Sequence, residues 1–166
     1  MWRKLILLLL IGLLLTPVAA YAATEKETPL ASNFTLPQLD GTDLSLSKYL
    51  GKNVTIISFF ASWSKSCQKE LLFLNDLYKA NKKKGLKIIG ISYERKKSSL
   101  TSFVNENKID FDVVSDRKLK TLKAYKILII PTLVVIDSSG KIVSTYTDFD
   151  KNVKAATTKD IKKLLK

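Results

Sequence analysis

One cysteine, Cys67, and no histidine occur in the 166 residues of this chain, so thiol chemistry rests on a single sulfur. A lone thiol cannot close a disulfide within its own chain. Zinc sites built from Cys and His, and nucleophile–histidine pairs, are excluded by the same count, and no cofactor is expected. The local sequence is Trp63-Ser64-Lys65-Ser66-Cys67. Ser64 has the character of a helix N-cap, which places Cys67 in a first helical turn. There, unpaired backbone amides and the helix dipole favour a thiolate, and Lys65 or Lys69 would add positive charge. An inward-pointing Cys67 would instead behave as a small buried hydrophobe, and both arrangements are open at this stage.

The elements that must position this sulfur are written in the apolar pattern. Val54 to Phe60 is β-branched and aromatic with almost no polar interruption, as in a central strand covered on both faces. Leu71, Leu74, Leu77 and Tyr78 then recur at three- and four-residue spacing, predicting a helix from Ser64 to Gly85. Its last turn carries Lys82-Lys83-Lys84 before Gly85, basic residues and a glycine suited to a helix C-terminus. Lys87 to Ser92 is a second buried strand, and a strand–helix–strand order calls for a parallel pair with a right-handed crossover.

Further along, a helix is expected from about Ser98 to Asn107, a strand at Phe111 to Val114 and a helix across Lys118 to Tyr125. Thr132 to Asp137 and Lys141 to Tyr146 flank Ser138-Ser139-Gly140, a turn signal that predicts an antiparallel hairpin and therefore a mixed sheet. Thr158 is the expected cap of a last helix whose Ile161, Leu164 and Leu165 face the sheet. Before all of these, Phe34 to Leu46 alternates around Asp40-Gly41 and reads as a small hairpin. The class is α/β, a mixed central sheet flanked by helices with an N-terminal hairpin extension.

The first segment has Arg3 and Lys4, an apolar run from Leu5 to Leu15, and small residues ending Ala20-Tyr21-Ala22. That is the grammar of an export signal cleaved after Ala22; the alternative is an uncleaved membrane anchor. The expected organisation is a signal over residues 1–22, a flexible polar leader over 23–32 and one domain over 33–166. Net charge is +13, or +11 without Arg3 and Lys4, which suits anionic surfaces such as lipid headgroups or acidic partners. Nucleic acid is not expected outside the cytoplasm, and oligomeric state is not legible.

The Trp63 to Cys67 junction between strand and helix, with Ile130-Pro131-Thr132 before a later strand, resembles the thioredoxin superfamily, and more closely its exported TlpA/ResA type. The resemblance spans about residues 33–149, including Phe34-Thr35-Leu36-Pro37, Asp40-Gly41, Gly51-Lys52, Phe59-Phe60-Ala61-Ser62-Trp63, Gly90-Ile91-Ser92, Tyr125, and Ile136-Asp137 with Gly140. It implies a thioredoxin-like fold and thiol-disulfide oxidoreductase ancestry. In the family the junction reads Trp-Cys-x-x-Cys, the first cysteine attacking and the second resolving; here Ser64 stands at the attacking position, and a serine hydroxyl has no disulfide chemistry. The resemblance further implies a cis Pro131 beside the motif, a partner-facing Trp63, and a glutamate near the sulfur at Glu94, able to relay protons. Two departures are the absence of a proline after Glu70, where Leu71-Leu72 stands, and Ser58 at the place of the thioredoxins' buried acid.

Three functions follow from these residues. In the first, Cys67 exchanges with a protein partner that supplies the missing cysteine. In the second, the chain is a redox-inactive binding or chaperone module using the groove near Trp63, Ile130 and Pro131. The third is a peroxiredoxin-like one-cysteine peroxidase, suggested by the spacing of Ser64 and Cys67; the upstream proline of that motif is missing.

Overall fold

The computed structural model describes residues 28–166; the expected signal over 1–22 and most of the expected leader lie outside the described residues. β1 (Thr35–Pro37) and β2 (Asp43–Ser45) form the anticipated hairpin. Its turn is held by Asp40, which accepts hydrogen bonds from the Thr42 amide and hydroxyl. The main sheet has five strands in the order β5-β4-β3-β6-β7. β3 (Val54–Phe60) lies at its centre and is buried at every position, matching its unbroken apolar composition.

β4 (Leu86–Ser92) and β5 (Asp112–Ser115) run parallel to β3, while β6 (Thr132–Ile136) and β7 (Ile142–Thr147) continue the sheet antiparallel on the other side. Alternation along β3 divides the core into two. Val54, Ile56 and Phe60 point into a cluster with Cys67, Leu71 and Leu74 of α1 (Lys65–Asn81), Leu100 of α2 (Lys97–Glu106) and Ile161 of α4 (Lys151–Leu164). Ile57 and Phe59 point the other way, toward Leu36, Leu44 and Leu46 of the hairpin region and Leu122 of α3 (Lys120–Ala124). Gly90 is needed where the strands meet, because a Cβ there would lie 3.0 Å from the Phe60 ring and 3.3 Å from that of Phe111.

α1 starts at Ser64, as its sequence predicts, and its Lys82 to Lys84 end tightens into a 3-10 turn before Gly85 at φ 96°. The last helix differs from expectation. Asp150, not Thr158, is its cap, accepting from the amides of Asn152 and Val153 at 2.9 and 2.8 Å. Thr158 lies mid-helix and returns its hydroxyl to the Lys154 carbonyl. The first two turns of α4 carry few apolar residues, so periodicity understated its length. The leader also departs from the expected flexible stretch over 23–32. The Ile142 amide donates to the Pro29 carbonyl at 2.8 Å, and that of Ala31 to the Gly140 carbonyl at 2.9 Å. Free backbone groups at a sheet edge attract such pairing irrespective of side chains.

Candidate active site

Strand register gathers the chemically interesting residues at one end of the sheet. Phe60 pairs with Ser92 and Phe59 with Thr132, so the segments leaving β3 and β4 and the segment entering β6 emerge side by side. The first carries Trp63, Ser64 and Cys67, the second Glu94, and the third Ile130 and Pro131.

Ser64 is extended, and its Oγ accepts from the Cys67 amide at 3.4 Å, a long but recognisable cap. The Cys67 side chain turns inward: the residue is 0% exposed and belongs to the core cluster against which Ile130 packs. Burial pushes its thiol above the ordinary value, more than the hydrogen bond to Ser64 lowers it, and the neighbouring Glu70 raises it further. The thiolate stabilisation expected of a first-turn cysteine with Lys65 and Lys69 nearby is therefore overcome by desolvation; both lysines are exposed. The Ile130–Pro131 peptide bond is cis, as the resemblance implied.

Glu94 accepts from both the backbone amide and the hydroxyl of Ser62, the latter at 3.0 Å, and its own amide donates to the Ser92 hydroxyl oxygen at 3.2 Å. It thus ties the end of β4 to the loop that presents Trp63. The ring of Trp63 is 69% exposed, and Leu128 and Ile129, ahead of Pro131, are 94% and 52% exposed. Beside Trp63 runs a cleft lined by Ser62, Tyr93, Glu94, Arg95 and Lys96.

A further residue of the site, Glu70, was not indicated by the sequence as more than a motif neighbour. It is almost wholly buried, accepts a 2.6 Å hydrogen bond from the Ser58 hydroxyl, and has its pKa pushed up to about 8 by burial. The carboxyl absent at Ser58 is thus supplied from the helix and meets Ser58 directly. Its signal in the sequence was its place three residues after Cys67, on the same helical face.

Glu70 makes stability pH-dependent. An acid whose folded pKa lies above its unfolded 4.5 leaves the fold most stable below that unfolded value. Stability is then lost as pH rises toward about 8, at up to about 1.4 kcal/mol per pH unit. Urea midpoints measured across this range should fall with pH in the native chain, and Glu70→Gln should flatten the slope. An unchanged slope would remove Glu70 as its source.

A mixed five-stranded sheet, a thiol in the first turn of the helix after its central strand, and a cis proline leading into the strand beside it define a thioredoxin-fold redoxin with one sulfur missing. The AhpC/TSA family profile matches residues 29–145. The thiol-disulfide oxidoreductase ResA of Geobacillus thermodenitrificans is 32% identical over 149 residues, covering 87% of this chain and 85% of the relative. ResA of Bacillus thuringiensis is 31% identical over 147 residues, covering 86% and 84%. Among solved structures, the thioredoxin domain of a Bacteroides vulgatus thiol-disulfide oxidoreductase superposes with a TM-score of 0.71 at 26% identity, covering 81% of this chain and 96% of that one. The chain belongs to the AhpC/TSA family, as a thioredoxin-fold homologue of the ResA-type thiol-disulfide oxidoreductases. It has a single free cysteine, a composition compatible with mixed-disulfide chemistry, and its family membership implies a redox partner protein.

Proposed function

We propose that this chain is an exported monothiol redoxin whose Cys67 exchanges with a partner disulfide only after the partner docks. The observation that carries this reading is the convergence of Cys67, Trp63 and cis Pro131 at one end of the sheet while the sulfur itself is covered. The exposed apolar side chains of Trp63, Leu128 and Ile129 supply a docking face, and buried aromatic anchors are common in such contacts. Glu94 acts as a positioning residue, holding the Trp63 loop through Ser62. The export signal over residues 1–22 belongs to the same proposal, with the domain following its leader.

The exchange balances without an external oxidant. The Cys67 thiolate attacks one sulfur of a partner disulfide, a new S–S bond joins the two proteins, and the partner's other sulfur leaves as a thiolate. A different cysteine of the partner, as its thiolate, then attacks the partner sulfur of the mixed disulfide, forms a new disulfide within the partner and releases Cys67 as a thiolate. Re-attack by the first leaving thiolate merely restores the starting bond. The net result is rearrangement of the partner's disulfide; Cys67 alone carries no pair of electrons away.

A redox-inactive binding module is the second reading, favoured by the complete burial of Cys67. Peroxidase chemistry receives less support, since it needs an accessible thiolate. Trapping separates the first two. In the exported fraction, acid quenching and thiol blocking should preserve a partner adduct that disappears on reduction and is absent from Cys67→Ser. If Cys67→Ser binds the same partner equally well and no adduct forms, exchange is wrong and the binding module stands.

A further inference from the structure

We infer that the outer face of α4 is a docking surface for anionic lipid headgroups, which holds the domain against the membrane it is exported across. This rests on the export reading above with the apolar run retained as the uncleaved anchor, and names the surface involved. Lys151, Lys154, Lys159, Lys162, Lys163 and Lys166 lie in or just after this helix, and every one is exposed. At 3.6 residues per turn, Lys151, Lys159 and Lys162 occupy roughly a quarter of the circumference, and Lys166 follows just past the end of the helix. Ala155 lies between them on that arc, a short side chain that leaves the ammonium groups standing proud of the surface.

The acids nearest this face are engaged by the fold: Asp150, beside Lys151, caps the helix by accepting from the Asn152 and Val153 amides. The one acid within α4, Asp160, is turned to the sheet, where its Oδ2 accepts from the Ser144 hydroxyl at 2.6 Å and the Tyr146 hydroxyl at 2.7 Å. Among the described residues the one ion pair joins Lys82 to Asp110, far along the chain. Val153, Ile161, Leu164 and Leu165 occupy the inner side of the helix against the core, and of the lysines Lys154 lies over the Phe73 ring, 5.5 Å from its centroid.

The path of the chain favours lipid over an acidic protein. Pro29 to Ala31 joins the fold by pairing along Gly140 to Ile142, at the start of β7, and β7 is the strand whose Ser144 and Tyr146 hold α4 through Asp160. The segment that follows the apolar run Leu5 to Leu15 therefore meets the domain on the strand that carries the lysine helix. The thirteen residues 16–28 span at most roughly 47 Å at full extension, which keeps this edge within that reach of any bilayer engaged by the apolar run. Basic residues near an anionic surface contribute about 1 kcal/mol each, a roughly five-fold effect per lysine on partitioning.

The test uses the full chain in nanodiscs of zwitterionic phosphatidylcholine alone or with about one third phosphatidylglycerol, and maps lysine acylation by mass spectrometry. Lys151, Lys159, Lys162 and Lys166 should lose at least five-fold in reactivity in the anionic discs, regain it in high salt, and Lys82 to Lys84 should remain unchanged. Replacing the four by glutamine should abolish the difference between disc types in the remaining lysines, Lys154 and Lys163. Equal reactivity in both discs overturns the inference, as does protection that appears only when an acidic polypeptide is added. Export is read separately, by locating the chain in cell fractions, so its failure cannot be mistaken for failure of the lipid contact.

Discussion

Alkylation of Cys67 in the folded chain near neutral pH is expected to be at least about a hundred-fold slower than in the denatured chain, with a midpoint above about 8.5, the value of a free thiol. Two effects act in the same direction. The sulfur has no exposed surface, so reagent reaches it only when the first turn of α1 opens, and each 1.4 kcal/mol of opening free energy slows labelling ten-fold. Desolvation and the neighbouring Glu70 also raise the thiol's pKa, and the reactive thiolate is depleted accordingly. Glu70→Gln should lower the midpoint without restoring speed, because access is unchanged. Rapid labelling of the native chain, or a midpoint below that of a free thiol, would mean that Cys67 is a surface nucleophile and that docking is not needed to expose it.

Ser64→Cys should convert the chain into a dithiol catalyst, with at least about a hundred-fold gain in dithiothreitol-driven reduction of a disulfide substrate such as insulin. The reason is placement: residue 64 is partly exposed at the helix N-cap with its side-chain oxygen 3.4 Å from the Cys67 amide. A sulfur there would have the access and dipole stabilisation that Cys67 lacks, leaving Cys67 the resolving role for which an inward position suffices. Loss of the serine cap should cost about 0.5–2 kcal/mol of stability. Counting free thiols before and after oxidation checks that the pair closes within the chain. A variant that oxidises normally yet gains no activity would show that this end of the sheet no longer receives partner disulfides, and would favour the redox-inactive binding module.

Both results bear on one question, what a redoxin does after losing its attacking sulfur. The exposed apolar surface of Trp63, Leu128 and Ile129, the loop tie from Glu94 to Ser62 and the buried carboxyl of Glu70 are all in place. A redundant thiol in an abandoned site would require none of these. A monothiol that rearranges a partner's disulfide, as proposed, would use the exposed surface and the loop tie, and needs the partner to supply the second cysteine.

Much of this was legible in the sequence, for local reasons. The cysteine count forbids an internal disulfide whatever the fold. The unbroken apolar run of β3, the three- and four-residue spacing in α1 and the cap at Ser64 are short-range patterns, set by backbone geometry and burial of one face, and they led to the right element order and mixed sheet. What only the tertiary structure decided depends on segments far apart in the chain. Spacing put Cys67 in a first turn but left its direction open; packing of α1 on β3 turned it inward, and desolvation then outweighed the helix dipole. Ser58 and Glu70 lie twelve positions apart, and only the strand–helix crossover brings the hydroxyl onto the carboxyl. Likewise Asp150 replaced Thr158 as a cap because its carboxylate meets the Asn152 and Val153 amides and Val153 packs on the core, which starts α4 over turns with little periodicity. Pro29 to Ala31 paired because a sheet edge satisfies backbone groups regardless of side chains. Spacing records which face a residue shares with its neighbours in sequence, whereas burial, and with it the chemistry of a sulfur or a carboxyl, is set by what the rest of the chain brings against that face.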